Sequence, residues 1–176
     1  MRVIGLDLSL THTGYVIRDN DKYLSGTIKP KSKGIKRLYF HYKEIKKLLQ
    51  YGRPDFVIIE GYAYSPHQGR SFSIGELGGI IKFMFYCNDI SYLVVAPTTL
   101  KKFATGKGNA PKSEIAKEVW KRWSKEFKTE HEVDAFVLCK IGESIINKSI
   151  KLTNPQKEVV ETIRRDKSNQ NYIKEE

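Results

Sequence analysis

The chain has 176 residues, enough for one domain with a substantial core and too few for two of ordinary size. Its 40% apolar and 11% aromatic residues argue against a disordered protein, and no apolar stretch approaches membrane-spanning length. The formal net charge of +11 favours a polyanionic partner, either nucleic acid or an acidic membrane surface.

The first three predicted elements are strands. Residues 2–8 form an almost continuous apolar run broken by Asp7, which is typical of a buried strand. Two more strands are predicted over residues 14–17 and 23–28, separated by a short polar turn. Because tight turns join the three strands, we expect them to form an antiparallel meander. The N-terminus runs directly into the first strand, with no signal peptide before it.

Helices and strands then alternate along the middle of the chain. Apolar spacing and turn residues predict a helix over residues 35–50, a buried strand over 56–60, a helix over 72–86 despite its three glycines, and a strand over 92–95. The order of these elements gives an α/β domain, with a mixed five-stranded sheet flanked by helices.

The last predicted elements are helical. Short helices are expected over residues 97–103 and 111–123, and the apolar face of the second includes Val119 and Trp120. A capping box precedes a longer helix that ends near residue 146. We place the domain at residues 1–147 and expect the polar residues 148–176 to form a weakly ordered C-terminal tail.

The two cysteines indicate the redox character of the compartment that holds the protein. Cys87 and Cys139 both lie in apolar surroundings, and their spacing fits neither a redox motif nor a zinc site. Buried thiols of this kind are typical of a reducing compartment. We therefore expect a soluble intracellular protein.

Four polar residues at the ends of predicted elements indicate a chemical site. Asp7 and Glu60 each end an apolar strand, where a buried carboxylate needs a cation, a proton or strong hydrogen bonds. His131 and Asp134 lie three residues apart at the start of the last helix, so they share the face that packs on the sheet. Each residue alone has an ordinary structural explanation, such as a turn cap. Together they indicate a catalytic site that binds two Mg²⁺ or Mn²⁺ ions and hydrolyses phosphodiesters.

Two groups of residues are candidates for binding nucleic acid. Lysines surround a Gly-rich loop and suit a clamp on phosphates, although a solvated loop has the same composition. They are Lys101, Lys102, Lys107 and Lys112. The loop after Glu60 holds Tyr62, Tyr64 and Arg70, which could stack on unpaired bases at a branch point or simply pack within the loop.

Several segments, in chain order, resemble the RuvC-type Holliday junction resolvases over about residues 1–146. They are Ile4-Gly5-Leu6-Asp7-Leu8-Ser9 with Gly14-Tyr15, Ile58-Ile59-Glu60, Gly75-Glu76-Leu77-Gly78-Gly79, Ala96-Pro97 through Lys101 with Gly106-Lys107-Gly108 and Lys112-Ser113, and His131-Glu132-Val133-Asp134-Ala135. The length and lysine content look closer to phage-encoded members of that family than to cellular ones.

The resemblance implies an RNase H-like fold and metal-dependent nicking of branched DNA, such as a four-way junction. It implies metal ligation by Asp7, Glu60, His131 and Asp134, and phosphate-contacting or catalytic roles for basic residues. Those basic residues are Lys101 and Lys112. The chain departs from the commoner family pattern at His131, where many members have Asp, and just after Glu60, where Ala63 replaces an aromatic residue.

The same resemblance implies a homodimer, with the helix over residues 72–86 at its interface. Glycines on that helix would permit close approach of a partner helix, and Phe72, Phe83 and Phe85 lie near them. The expected location is the cytoplasm of a bacterial or phage-infected cell.

Three other functions stay open at this point. A nuclease of the same fold could prefer flaps, forks or RNA-containing substrates. A non-catalytic module could bind junctions without cutting them, although carboxylates beside phosphates would weaken such binding. A sugar-kinase or actin-like nucleotide-binding domain also has an acidic residue after its first strand, but it needs two lobes and a second phosphate loop.

Overall fold

The structure is a computed structural model that describes residues 1–61 and 68–166, with only the backbone described for residues 68–71. The proposed stacking residues Tyr62 and Tyr64 lie outside the described residues, and so does the side chain of Arg70.

A mixed five-stranded sheet forms the centre of the fold. Its strands are β1 (Arg2–Asp7), β2 (Thr13–Asp19), β3 (Lys22–Ile28), β4 (Phe56–Glu60) and β5 (Tyr92–Val95). They lie in the order β3-β2-β1-β4-β5; β2 is antiparallel to both β1 and β3, whereas β4 is parallel to both β1 and β5. The expected meander and mixed sheet are confirmed.

Helices cover both faces of the sheet. They are α1 (Gly34–Gln50), α2 (Gln68–Cys87), α3 (Pro97–Thr105), α4 (Lys112–Trp123), α5 (Glu130–Ile146) and α6 (Asn154–Arg165). Helix α5 packs against β1, β2 and β4 on one face, whereas α1 and α2 share an apolar cluster with the other face. Within the part of the chain that the structure describes, no helix combines the length and the apolar character needed to cross a membrane.

The alternation of strand side chains decides which face receives the strand-end carboxylates. Val3 of β1 and Ile58 of β4 lie in the cluster beneath α5, whereas Ile4 and Leu6 lie in the cluster with α1 and α2. Successive residues of a strand point to opposite faces. The last residues of β1 and β4, Asp7 and Glu60, therefore point to the face that α5 covers.

Two glycines allow α5 to lie close over the sheet. A Cβ atom at Gly5 of β1 would collide with the carbonyl oxygen of Ala135 and lie 2.7 Å from the amide nitrogen of Cys139. A Cβ atom at Gly14 of β2 would collide with the backbone of His131. The helix backbone thus occupies the space that strand side chains would fill elsewhere, and its first turns lie directly over the ends of β1 and β2.

The C-terminal segment differs from the expected tail. Helix α6 buries Val159, Val160 and Ile163 in the same apolar cluster as α5, and a capping box of Thr153 and Gln156 begins it. The expectation of weak order is wrong for residues 154–165, because their apolar residues recur at helical spacing between charged ones. The high charge of the segment as a whole obscured this apolar helix face in the sequence.

Two smaller expectations also differ from the structure. Trp120 is 58% exposed, and the buried face of α4 is formed by Ile115 and Val119. One residue further along a helix is about 100° around its axis, so an apolar neighbour of Val119 need not share its face. Cys87 ends α2 at the surface, while Cys139 is buried as expected.

The close approach of α5 and β1 predicts the effect of one added methyl group. We expect Gly5→Ala to lower the free energy of unfolding by about 3 kcal/mol, because the Cβ atom must push α5 away from β1. Urea unfolding followed by circular dichroism would measure it. The control is Gly75→Ala in α2, where an added Cβ atom has no neighbour within 4 Å. Equal stability of the two variants would contradict this account of the α5 contact.

Candidate metal centre and active site

Three carboxylates from three elements converge at one edge of the sheet. One oxygen from each of Asp7, Glu60 and Asp134 lies within 4.8 Å of the other two. Strands β1 and β4 are parallel neighbours, with Leu6 paired to Ile59, so the residues that follow end side by side. Asp134 reaches them from the second turn of α5 above. The sequence prediction placed all three at element ends, and the structure brings them together.

Burial and mutual repulsion make it unfavourable for all three carboxylates to be ionised. Burial raises the pKa of Glu60 well above its usual range, and the nearby Asp7 and Asp134 raise it further. Burial also raises the pKa of Asp134, although the Lys112 ammonium acts in the opposite direction. A divalent cation would reverse both effects. Three hard oxygen donors at this separation therefore fit a Mg²⁺ or Mn²⁺ site.

His131 lies beside the carboxylates and is hydrogen-bonded to one of them. Its Nδ1–H donates to Oδ2 of Asp7 over 2.5 Å, and this bond is the main cause of the raised pKa of His131. The ring lies parallel to that of His12, with 6.0 Å between their centroids. When the imidazole is neutral, the proton on Nδ1 forms the hydrogen bond to Asp7. The lone pair on Nε2 is then available to bind a metal ion.

The four predicted lysines divide into two pairs. Lys101 and Lys112 line the same pocket as the carboxylates, and Nζ of Lys112 lies 3.4 Å from Oδ2 of Asp134. Burial lowers the pKa of Lys112, but Asp134 and Asp7 outweigh it, so the net shift is upward and the ammonium is retained. Lys102 instead pairs with Glu158 of α6 at 2.7 Å, and Lys107 pairs with Glu114 of α4 at 3.6 Å.

The resulting pocket has a volume of about 390 Å³. Its polar side consists of the three carboxylates, His131 and the two lysines, whereas Ile74, Leu100 and Ile115 form an apolar wall. A phosphodiester could therefore meet acidic and basic groups together, with one side shielded from water. This combination suits hydrolysis in which metal ions contact the phosphate and a cationic side chain balances its charge.

A buried histidine that the sequence reasoning overlooked holds the turn after Asp7. His41 of α1 is fully buried; its Nε2–H donates to the carbonyl oxygen of Leu10, and its Nδ1 lies 3.3 Å from the Thr13 hydroxyl oxygen. Thr13 also bonds to the backbone of Ser9. The only sequence signal was a histidine on the apolar face of a helix, between Leu38 and Ile45, and such residues are usually ordinary core residues.

Comparison with solved structures identifies the fold. The chain matches Thermus thermophilus RuvC in complex with a Holliday junction substrate with a TM-score of 0.68 and 20% identity, covering 79% of this chain and 90% of that one. It also matches the yeast mitochondrial Holliday junction resolvase Ydc2 with a TM-score of 0.57 and 10% identity, covering 98% of this chain and 84% of that one. The RNase H-like fold expected from the sequence is confirmed.

Sequence comparison identifies the family. No protein-family model matches the chain. A crossover junction endodeoxyribonuclease RuvC of Caldicellulosiruptor saccharolyticus is 32% identical over 127 residues, which are 68% of this chain and 76% of the relative. The protein of the same name from Fusobacterium nucleatum is 31% identical over 148 residues, 79% of this chain and 78% of the relative. The chain therefore belongs to the RuvC family of crossover junction endodeoxyribonucleases.

Proposed function

We propose that this protein is a metal-dependent endonuclease that nicks four-way DNA junctions at the pocket of Asp7, Glu60 and Asp134. The convergence of these three carboxylates, each from a different element, is the observation that carries the proposal. The relatives are named crossover junction endodeoxyribonucleases, and the Thermus thermophilus structure contains a Holliday junction substrate. Action on such DNA would place the protein in the bacterial cytoplasm.

The ligands of the proposed metal site are Asp7, Glu60, Asp134 and His131, and the metal is Mg²⁺ or Mn²⁺, with two ions per site. Asp7 interacts with both Glu60 and His131, so it would be the central ligand of the site. His131 would use its Nε2 lone pair while Nδ1–H remains bonded to Asp7. When bound, the ions would neutralise the phosphate and activate the attacking water.

Two lysines would hold the scissile phosphate. Lys112 is an ammonium beside Asp134, and it can turn to a phosphate oxygen without leaving the pocket. Lys101 lines the same pocket from α3. Lys102 and Lys107 are proposed to contact DNA further out, where each would exchange a carboxylate partner for a phosphate. Tyr62, Tyr64 and Arg70 stay predictions for base stacking.

A homodimer would supply the second cut that a symmetric junction needs. The exposed face of α2 carries Phe72, Phe83 and Tyr86, which are 73%, 67% and 78% exposed, respectively. Gly79 lies on the same face, and a Cβ atom there would have no neighbour within 4 Å among the residues that the structure describes. Phe85, which we expected beside this interface, is instead fully buried in the core, because it lies on the opposite side of the helix. We propose that the exposed face of α2, formed by Phe72, Gly79, Phe83 and Tyr86, packs against the same face of a second copy of the chain.

The metal assignment predicts a separation of cleavage from binding. Asp7→Asn should reduce junction nicking by at least about 10³-fold, because the site loses one of its carboxylate ligands, while junction affinity is kept or improved as repulsion of phosphate falls. Nicking of a labelled four-way junction in Mg²⁺ or Mn²⁺, beside a gel-shift titration without metal, measures both. Asp21→Asn in the exposed β2–β3 turn is the matched control. Wild-type nicking by Asp7→Asn would remove Asp7 from the site.

The metal-ligand role of His131 predicts a pH dependence. Asp7 raises the pKa of His131 and burial raises that of Glu60, so protons compete with the metal for both side chains, and metal affinity should increase as pH rises. Saturating Mn²⁺ should move the loss of activity to lower pH. His131→Asp should remain active, favour Mg²⁺ over Mn²⁺, and lose the histidine part of the pH dependence.

Single-turnover junction cleavage from about pH 5.5 to 8.5, which brackets the ordinary histidine pKa near 6.5, tests this at several concentrations of each metal. His12→Asp is the control, since it adds the same charge beside His131 without replacing it. If wild type and His131→Asp share one pH profile and one metal preference, His131 is not a ligand.

The dimer proposal predicts that one exposed aromatic residue controls association. Phe83→Ser should give a folded monomer, because Phe83 is 67% exposed in the isolated chain and contributes little to its core. Sedimentation velocity at micromolar protein, with and without junction DNA, would compare it with wild type. Leu24→Ser, at a 58% exposed residue on β3, is the control that removes apolar surface elsewhere. A wild-type protein that sediments only as a monomer contradicts the proposal.

A further inference from the structure

A second concentration of positive charge lies outside the segment that resembles the family's basic motif. Residues 22–43 contain seven lysines or arginines and no aspartate or glutamate. Four of the lysines are exposed and lie between the last residue of β3 and the first turn of α1. These β3–α1 lysines are Lys29, Lys31, Lys33 and Lys36.

Among the described residues, no carboxylate pairs with the β3–α1 lysines. Within residues 1–61 and 68–166, no carboxylate oxygen lies within 4.0 Å of any of their ammonium groups. By contrast, Lys102, Lys107 and Lys112 all form ion pairs with acidic residues of the chain. The positive charge on the β3–α1 segment is therefore available to a polyanion without breaking an ion pair within the part of the chain that the structure describes.

Strand pairing places this segment at the edge of the sheet that holds the metal centre. Asp7 pairs with Gly14 of β2, and Gly14 pairs in turn with Thr27 of β3. Neighbouring strands lie about 4.8 Å apart, so Thr27 is roughly 10 Å from Asp7 across the sheet. Lys29 follows two residues later. Lys101 and Lys112 come from helices that follow β5, at the opposite end of the strand order.

A groove lined by Lys29 lies across the start of α5 from the active-site pocket. Lys29 lines a groove of about 490 Å³, together with Lys128 and Thr129. The first turns of α5 separate the two cavities: Thr129 and Glu132 line the groove, whereas His131 and Asp134 line the pocket. A DNA strand that crosses the start of α5 would pass from the metal centre to the β3–α1 lysines.

The acidic residue in the floor of the groove is screened from such a DNA strand. Glu132 is 4% exposed, and its carboxylate accepts hydrogen bonds from Ser25 at 3.1 Å and from Thr27 at 2.8 Å. Lys29 and Lys128 at the rim are both exposed. An approaching phosphate therefore meets ammonium groups first, although the exposed Glu126 also lines the groove.

We propose that the β3–α1 lysines bind the sugar-phosphate backbone of a junction arm as it leaves the active site on the β3 side. The inference rests on the proposed junction-cleaving function and adds a surface to it. Lysine carries a compact charge on a flexible side chain and contacts phosphates rather than base edges. This surface would therefore position DNA without selecting its sequence. Together with Lys101 and Lys112, it puts positive charge on both sides of the acidic centre.

The test removes the four charges and measures how binding depends on salt. Each phosphate contact contributes about 0.9 to the slope of log affinity against log salt, so changing all four to glutamine should reduce the slope by about two to four. Junction affinity at about 0.15 M salt should fall at least tenfold. The titrations use the full chain, a labelled four-way junction and no divalent cation. Four Lys→Arg changes at the same positions should restore the wild-type slope.

The matched control makes the same change of charge at exposed lysines away from this edge. They are Lys22, Lys46, Lys148 and Lys151, all changed to glutamine. Circular dichroism would verify the fold of each variant. A wild-type slope in the β3–α1 variant, or an equal loss in the control, would overturn the inference. So would loss of binding to vesicles of anionic lipid with unchanged junction binding.

The failure of this inference is distinguishable from failure of the proposed function. If Asp7→Asn cannot nick junctions while the β3–α1 variant binds them as wild type does, only the lysine surface is wrong. If Asp7→Asn nicks normally, the active-site proposal fails, whatever the salt dependence.

Discussion

The repulsion among Asp7, Glu60 and Asp134 is the constraint on which the rest of the structure depends. Three carboxylates within 4.8 Å of one another, two of them buried, oppose folding unless protons or cations compensate them. Burial is the main cause of the raised pKa values of Glu60 and Asp134, and repulsion from the neighbouring carboxylates raises both further. The same repulsion makes the site suited to a divalent cation, because a bound cation would neutralise the carboxylates that the fold holds close together.

Helix α5 is the element that holds the carboxylates in place. It lies against β1, β2 and β4, and the absence of side chains at Gly5 and Gly14 lets its backbone approach the strands closely. Its far end is anchored by Glu143, which is 2% exposed, pairs with Arg18 of β2 at 3.5 Å and accepts a hydrogen bond from the Tyr23 hydroxyl of β3 at 2.9 Å. A rigid helix tied at both ends can keep Asp134 near two strand ends that it repels.

The charges of the molecule are arranged around that centre. Lys112 lies within the pocket, where it partly compensates the carboxylates. Lys102 and Lys107 lie further out in ion pairs, one of them with helix α6, which ties the basic segment to the C-terminal part of the fold. The β3–α1 lysines form no such pair with any carboxylate in residues 1–61 or 68–166. A polyanion would thus meet unpaired positive charge on one side of the centre and exchangeable ion pairs on the other.

The sequence by itself determined the strand order of the meander and the elements that carry Asp7, Glu60, His131 and Asp134, whose role as one metal site is our proposal. Period-two and period-3.6 patterns, turn residues and a polar residue at the end of an apolar run are local signals, so one sequence suffices to read them. Only the tertiary structure decided which charges pair, that Phe85 is buried, and that α6 packs on the core, because these depend on contacts between residues distant in the chain. Local patterns report which side of an element is apolar, but they do not report what covers that side.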